Sequence, residues 1–202
     1  MYKGHKILAI VPARSGSKGI KDKNIKKVNG KHLLGYTGEF IKNLNFIDLS
    51  IISTDSLKYQ KIAKKYHLYS FFLRSKKLSK SRVSDIDVIY DSLTKSERYF
   101  NTKFDIIAYF QPTSPLRDKN DFTEALNLLI KKKLDSIWSV SEVDKKFHPL
   151  KQLDFDNYLK FYLKQGKEII ARQQLKKTII RNGVFYIINR NCIINQKTIL
   201  GK

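Results

Sequence analysis

The sequence is poor in cysteine, in acidic residues and in long apolar runs, and each shortage removes a class of function. A single cysteine, Cys192, excludes an internal disulfide and any zinc cluster built from cysteines. Its plainer reading is a small semi-buried side chain rather than a nucleophile. The longest apolar stretches, 106–110 and 184–188, have the length of strands and fall far short of the roughly 20 residues that a membrane span needs. The opening Met-Tyr-Lys-Gly-His-Lys runs into a strand with no signal-peptide core and no small-residue cleavage site, so a cytoplasmic protein without a membrane partner is expected. Neither Gly-x-x-x-x-Gly-Lys-Ser/Thr nor Gly-x-Gly-x-x-Gly occurs, which takes the main support from kinase, GTPase and dehydrogenase readings. Internal repeats and long linkers are also missing.

What is present describes a folded chain. Hydrophobic residues make up 42% and aromatics 12% of 202 residues, enough burial to offset chain entropy in one domain spanning 1–202. Forty Lys and Arg face 18 Asp and Glu, a formal charge of +22. Such a balance suits a nucleic-acid binder, because clustered cations release counterions from a phosphate backbone. Only 8 of the 40 are Arg, however, and the lysines are spread along the whole chain. That distribution argues against nucleic acid as a partner and for a solvated surface that steers small anions.

Apolar runs and helical spacing alternate. Residues 7–13, 50–54, 104–110, 136–143 and 184–188 read as strands, with a further short strand at 69–73. Helical spacing falls at 33–44, 57–66, 85–99 and 121–129. Strands separated by helices imply right-handed crossovers, hence an α/β fold on a mainly parallel twisted sheet with flanking helices. From 148 to 177 the pattern loosens into alternating aromatic and charged residues, which suits a small antiparallel excursion serving as a lid or a dimer contact.

Two loops follow buried strands, where open α/β sheets bind ligands. The first runs from Val11 to Asn24. Gly16 and Gly19 let backbone amides approach an anion, Ser15 and Ser17 add hydroxyl donors, and Arg14, Lys18 and Lys23 supply charge. The same residue types serve equally well in a basic surface turn. The second loop, Gln111-Pro112-Thr113-Ser114-Pro115-Leu116-Arg117, places hydrogen-bonding side chains between two stiffening prolines, as a hydroxylated ligand requires. An ordinary capped turn explains it equally well.

In order along the chain, Ala13-Arg14-x-x-Ser17-Lys18-Gly19 with Lys23-Asn24 and the loop 111–117 resemble the acylneuraminate cytidylyltransferase (CMP-sialic acid synthetase) family. The likeness extends through Gly30-Lys31, Ser53-Thr54-Asp55, Leu73-Arg74, His148-Pro149, Arg172-x-Gln174 and Asn182-Gly183-x-x-Tyr186. The resemblance implies a nucleotide-binding, Rossmann-like core of the nucleotide-diphospho-sugar transferase type. It also implies a homodimer, CTP and an acidic nine-carbon sugar as partners, and Mg²⁺ as cofactor. The sugar hydroxyl would attack the α-phosphate of CTP and expel pyrophosphate. Arg14, Ser17, Lys18, Lys23 and Asn24 would hold the nucleotide, with Arg14 and Lys18 stabilising charge in catalysis and Arg74 and Asp85 near the cytidine. Gln111, Thr113 and Ser114 would face the sugar, with Arg172 and Gln174 beside them, Lys151 reaching in from a partner subunit, and Asn182 and Tyr186 in support. The Ser17-Lys18-Gly19 and Lys23-Asn24 combination is more similar to the sialic or legionaminic branch than to the eight-carbon Kdo branch.

The pattern departs from that family at four points. Ser81 stands where Asp is common, His32 replaces a Pro, and Arg181 replaces the Pro before Asn182-Gly183. The family's later Ile-Asp-Ile-Asp-like motif, whose aspartates bind magnesium, does not occur in the 202 residues, so the metal ligands are left unassigned and a shortened or fragmentary chain is expected. A catalytically impaired homologue that only binds CTP or sugar is the alternative. Asp55 is expected to cap the helix that follows it.

Overall fold

A computed structural model describes residues 1–201. The chain forms two compact units, one from Met1–Trp138 together with the segment beginning at Gly183, the other Ser139–Asn182. In chain order the elements are β1 (Ile7–Pro12), β2 (Lys27–Val28), β3 (Lys31–His32), α1 (Leu33–Lys42), β4 (Leu49–Ser53), α2 (Leu57–Lys64), α3 (Asp85–Tyr99), β5 (Ile106–Tyr109) and α4 (Lys119–Lys132). They continue with β6 (Ser136–Glu142), β7 (Leu153–Asp156), β8 (Tyr158–Phe161), β9 (Ile179–Asn189) and α5 (Arg190–Ile194).

The first unit is organised by the two-residue period of β1. Ile7, Ala9 and Val11 join one core cluster with Leu34 and Ile41 of α1, Tyr59 and Ala63 of α2, and Phe122, Leu126 and Leu129 of α4. Leu8 and Ile10 join the other with Ile89 and Leu93 of α3 and Cys192 and Ile193 of α5. A strand buried on both faces is what the continuous apolar run demands, and helices on both faces are the consequence. Cys192 is fully buried, and burial raises its thiol pKa.

The main sheet has the order β4-β1-β5-β9-β6. β4, β1 and β5 are parallel neighbours, while β9 runs antiparallel to β5 with Tyr109 opposite Tyr186. The sheet is therefore mixed around a parallel core. Polar residues start the crossover helices: Ser56, Ser84 and Asp118 accept backbone N–H groups at α2, α3 and α4. The strand expected at 69–73 is not formed. Tyr69 makes one bridge to Ile51, and Phe71 stacks on Tyr99 with centroids 4.6 Å apart, so these aromatics pack on α3 instead of extending the sheet.

The second unit contains the expected antiparallel excursion at 148–177. β7 and β8 form a hairpin in which Leu153 faces Phe161 and Phe155 faces Leu159, placing four apolar residues on one face. Among the described residues no helix is long and apolar enough to cross a membrane.

Candidate functional site

A cleft of about 540 Å³ opens where β1 and β5 end, lined by both loops singled out above. β1 delivers Arg14 as its loop begins, and the loop contributes Ser17, Lys18, Lys23 and Asn24. Arg14 Nη1 donates to Gly16 O at 3.0 Å, and buried Asn24 donates through Nδ2 to Arg14 O at 3.1 Å. The loop thus closes on itself and presents its cations outward. A Cβ at Gly16 or Gly19 would meet nothing within 4 Å, so these glycines leave room for a ligand and relieve no clash.

Arg74 lines the same cleft and is 5% exposed. Its Nε is buried without an acceptor, and burial holds its guanidinium below the ordinary arginine range. A desolvated cation with an unfilled donor marks a place where an acceptor binds. Asp85, at the first turn of α3, is the one carboxylate among the lining residues and accepts the Tyr109 hydroxyl at 2.8 Å. Burial pushes the Tyr109 hydroxyl far up, and the Asp85 charge adds to the effect, so Tyr109 stays a donor. Tyr186 does not line the cleft; it stacks behind Tyr109 at 6.2 Å and packs against Trp138 at 4.8 Å.

Gln111 and Thr113 also line the cleft. Gly183 sits at φ +69°, and a Cβ there would lie 2.6 Å from Gln111 Oε1, so the Asn182-Gly183 pair in the sequence makes room for Gln111. Ser114 is not a lining residue; its N–H closes the turn onto Gln111 O at 3.2 Å. Arg117, absent from the expected site, braces this loop. It donates to Val184 O at 3.0 Å, to Thr37 Oγ1 at 3.1 Å and to Gln111 O, and lies over the rings of Phe40 and Phe110. Burial lowers its pKa to about 10, which leaves it charged at neutral pH. Its signal was its place at the end of the 111–117 motif.

The remaining expected residues belong to the second unit. Lys151 and Arg172 line a separate hollow of about 280 Å³ with Phe161, Ile169 and Ile170. Arg172 Nη2 is 3.7 Å from Asp144, and Gln174 Oε1 accepts the N–H groups of Ile170 and Ala171 at 2.8 Å. Asn182 accepts from Ser139 Oγ at 2.6 Å and donates to Ser141 Oγ at 3.0 Å.

Asp55 corrects the sequence expectation. Ser56 caps α2, and Asp55 instead accepts Ser15 N at 2.8 Å and Ser15 Oγ at 3.1 Å, reaching the loop of the cleft. Among the described residues no group of three or more His, Cys, Asp or Glu could hold a metal. Asp85, which accepts the Tyr109 hydroxyl, is the one carboxylate that lines the cleft.

The cytidylyltransferase family model matches residues 8–198. Post-translational flagellin modification protein B of Campylobacter coli is 31% identical over 97% of this chain and 83% of its own length. N-acylneuraminate cytidylyltransferase of Escherichia coli O18:K1:H7 is also 31% identical over 98% of this chain, which spans 45% of that longer protein. CMP-N,N'-diacetyllegionaminic acid synthase of Campylobacter jejuni is 29% identical over 97% of this chain and 83% of its own. Among solved structures, a CMP:2-keto-3-deoxy-manno-octonic acid synthetase complexed with CTP superposes at a TM-score of 0.69, with 14% identity over 95% of this chain and 77% of that one. At that identity the likeness is one of fold.

Proposed function

Since the chain belongs to the cytidylyltransferase family, we propose that the cleft of the first unit binds CTP and joins its CMP moiety to an acidic nine-carbon sugar of the N-acetylneuraminate or legionaminate type. The observation that carries this reading is Arg74, whose buried Nε has no acceptor, lining a cleft that also holds Arg14, Lys18 and Lys23. A cleft of about 540 Å³ lies in the range that encloses small ligands.

In this reading the loop cations and backbone N–H groups neutralise the triphosphate, whose charge otherwise repels an incoming oxygen. Gln111 and Thr113 orient the sugar so that its anomeric hydroxyl faces the α-phosphate, and positioning supplies much of the rate. The new oxygen–phosphorus bond forms as the bond from the α-phosphorus to the bridging oxygen breaks, the hydroxyl proton passes to water, and pyrophosphate departs with the electron pair. A Mg²⁺ ion bound with CTP would add neutralising charge to the triphosphate, with Asp85 as the one cleft carboxylate available to it. The single carboxylate in the cleft favours a second reading, binding of CTP without turnover.

The hairpin of the second unit supports a homodimer. Leu153, Phe155 and Leu159 of its apolar face are 51%, 72% and 66% exposed, which supports reading this face as an interface with a second copy. Lys151 beside this hairpin then reaches a partner's sugar.

Thermal unfolding with CTP, ATP and GTP tests the nucleotide reading. CTP at 100 times its Kd adds about 2.7 kcal/mol of stability. An equal response to all three nucleotides, or none to CTP, contradicts the proposal.

A further inference from the structure

The loop that carries Arg14, Lys18 and Lys23 is bonded internally near its base, where Arg14 Nη1 reaches Gly16 O and Asn24 Nδ2 reaches Arg14 O, and not across its middle. Residues 18–21 are exposed, and within the loop Ser17 N–H reaches Ser15 O at 2.9 Å. Its two ends are also tied to one short segment, residues 55–59, at the start of α2.

At the loop's beginning, Asp55 grips Ser15 with both carboxylate oxygens, one on the N–H at 2.8 Å and one on the hydroxyl at 3.1 Å. At its end, Asp22 has a left-handed backbone, φ 55° and ψ 31°, immediately before the single turn Lys23–Ile25. That conformation is disfavoured for a residue with a Cβ, less so for Asp than for most. Two bonds to the Asp22 side chain offset it: Tyr59 donates its hydroxyl at 3.1 Å and Lys58 its ammonium at 2.9 Å. The Lys58 pair is solvent-exposed and worth little. Tyr59 is fully buried in the core, and burial together with Asp22 keeps its hydroxyl protonated, so this bond is the firmer anchor.

We propose that Asp22 and Asp55 are positioning residues that clamp both ends of the phosphate-facing loop to the start of α2, presetting Arg14, Lys18 and Lys23 for the triphosphate. The clamp rests on the reading of this loop as the triphosphate site. Fixed ends with an exposed middle let residues 18–21 close over the nucleotide while the loop keeps its register, so less ordering remains to be done when the ligand arrives.

The test compares wild-type protein with Asp22→Gly, Tyr59→Phe, Asp55→Ala and Asp55→Asn. Asp22→Gly removes the anchor and the strain together, so global stability is kept while the tether is lost. Amide exchange over residues 15–25 is measured first, without nucleotide. It is expected to rise about tenfold in Asp22→Gly and Asp55→Ala, less in Tyr59→Phe, and to return toward wild type in Asp55→Asn, which still accepts Ser15 N–H. Steady-state kinetics follow: the KM for CTP is expected to rise about 5- to 10-fold with kcat within about twofold of wild type. Unchanged loop exchange in Asp22→Gly and Asp55→Ala overturns the clamp even if CTP binds well. Accelerated exchange in Asp22→Gly and Asp55→Ala, together with a wild-type protein that does not bind CTP, upholds the clamp and removes the nucleotide reading instead. Loss of kcat with KM unchanged overturns the positioning role.

Discussion

Gly183 and Arg74 give the sharpest expectations at the scale of single residues. Gly183→Ala forces a Cβ into a φ of +69° and to within 2.6 Å of Gln111 Oε1. It is expected to lose about 1–3 kcal/mol in urea unfolding, and to raise the KM for sugar more than that for CTP. An effect on CTP alone would separate Gln111 from the sugar. Arg74→Met replaces a buried cation that has no ion-pair partner among the described residues, so folding stability is expected to stay within about 1 kcal/mol of wild type. CTP affinity is expected to fall about tenfold, the loss of a charged hydrogen bond. A calorimetric titration showing full affinity, or an unfolded variant, contradicts this role. Residue-scale contacts of this kind were only partly legible. Asp55 carried a helix-cap signal, yet Ser56 takes the cap and frees Asp55 for Ser15. Lys151 and Arg172 share a hollow within their own unit, a juxtaposition that no spacing in the sequence announces.

At the scale of elements, Glu97 near the end of α3 grips Arg190 at the start of α5 through two bonds of 2.7 and 2.9 Å. Burial pushes the Glu97 carboxyl up, but the Arg190 hydrogen bonds and the Phe104 N–H outweigh it and hold the carboxyl below its usual 4.5. A carboxylate with a depressed folded pKa contributes stability that is present above the unfolded value and lost as pH falls through the folded one. Glu97→Gln is therefore expected to cost about 1–2 kcal/mol at pH 7, and the gap to wild type is expected to shrink below pH 4.5. A gap independent of pH contradicts the pairing. The core elements were legible because burial writes itself into period: β1 and β5 are continuous apolar runs, and 85–99 coincides with α3. The strand expected at 69–73 failed because β-favouring aromatics there found ring partners on α3, a tertiary outcome that propensity does not encode. The antiparallel course of β9 was equally hidden, since direction depends on where the second unit returns the chain.

The whole molecule combines a charge of +22 with two loops that line one cleft, and a positive surface of this kind steers anionic ligands such as the proposed substrates. Its apolar hairpin face gives a separate expectation. Light scattering is expected to report twice the 23.6 kDa chain mass, and Phe155→Asp to return it to one chain, with a dimer that survives the substitution placing the interface elsewhere. The most direct test of the central claim is pyrophosphate release from CTP and Mg²⁺ with N-acetylneuraminate, legionaminate, pseudaminate or Kdo. Release that requires CTP and one of the nine-carbon acids, and is lost in a variant lacking both Arg14 and Lys18, is the expected result. Tight CTP binding with no release for any sugar would leave a nucleotide-binding protein and contradict the transferase.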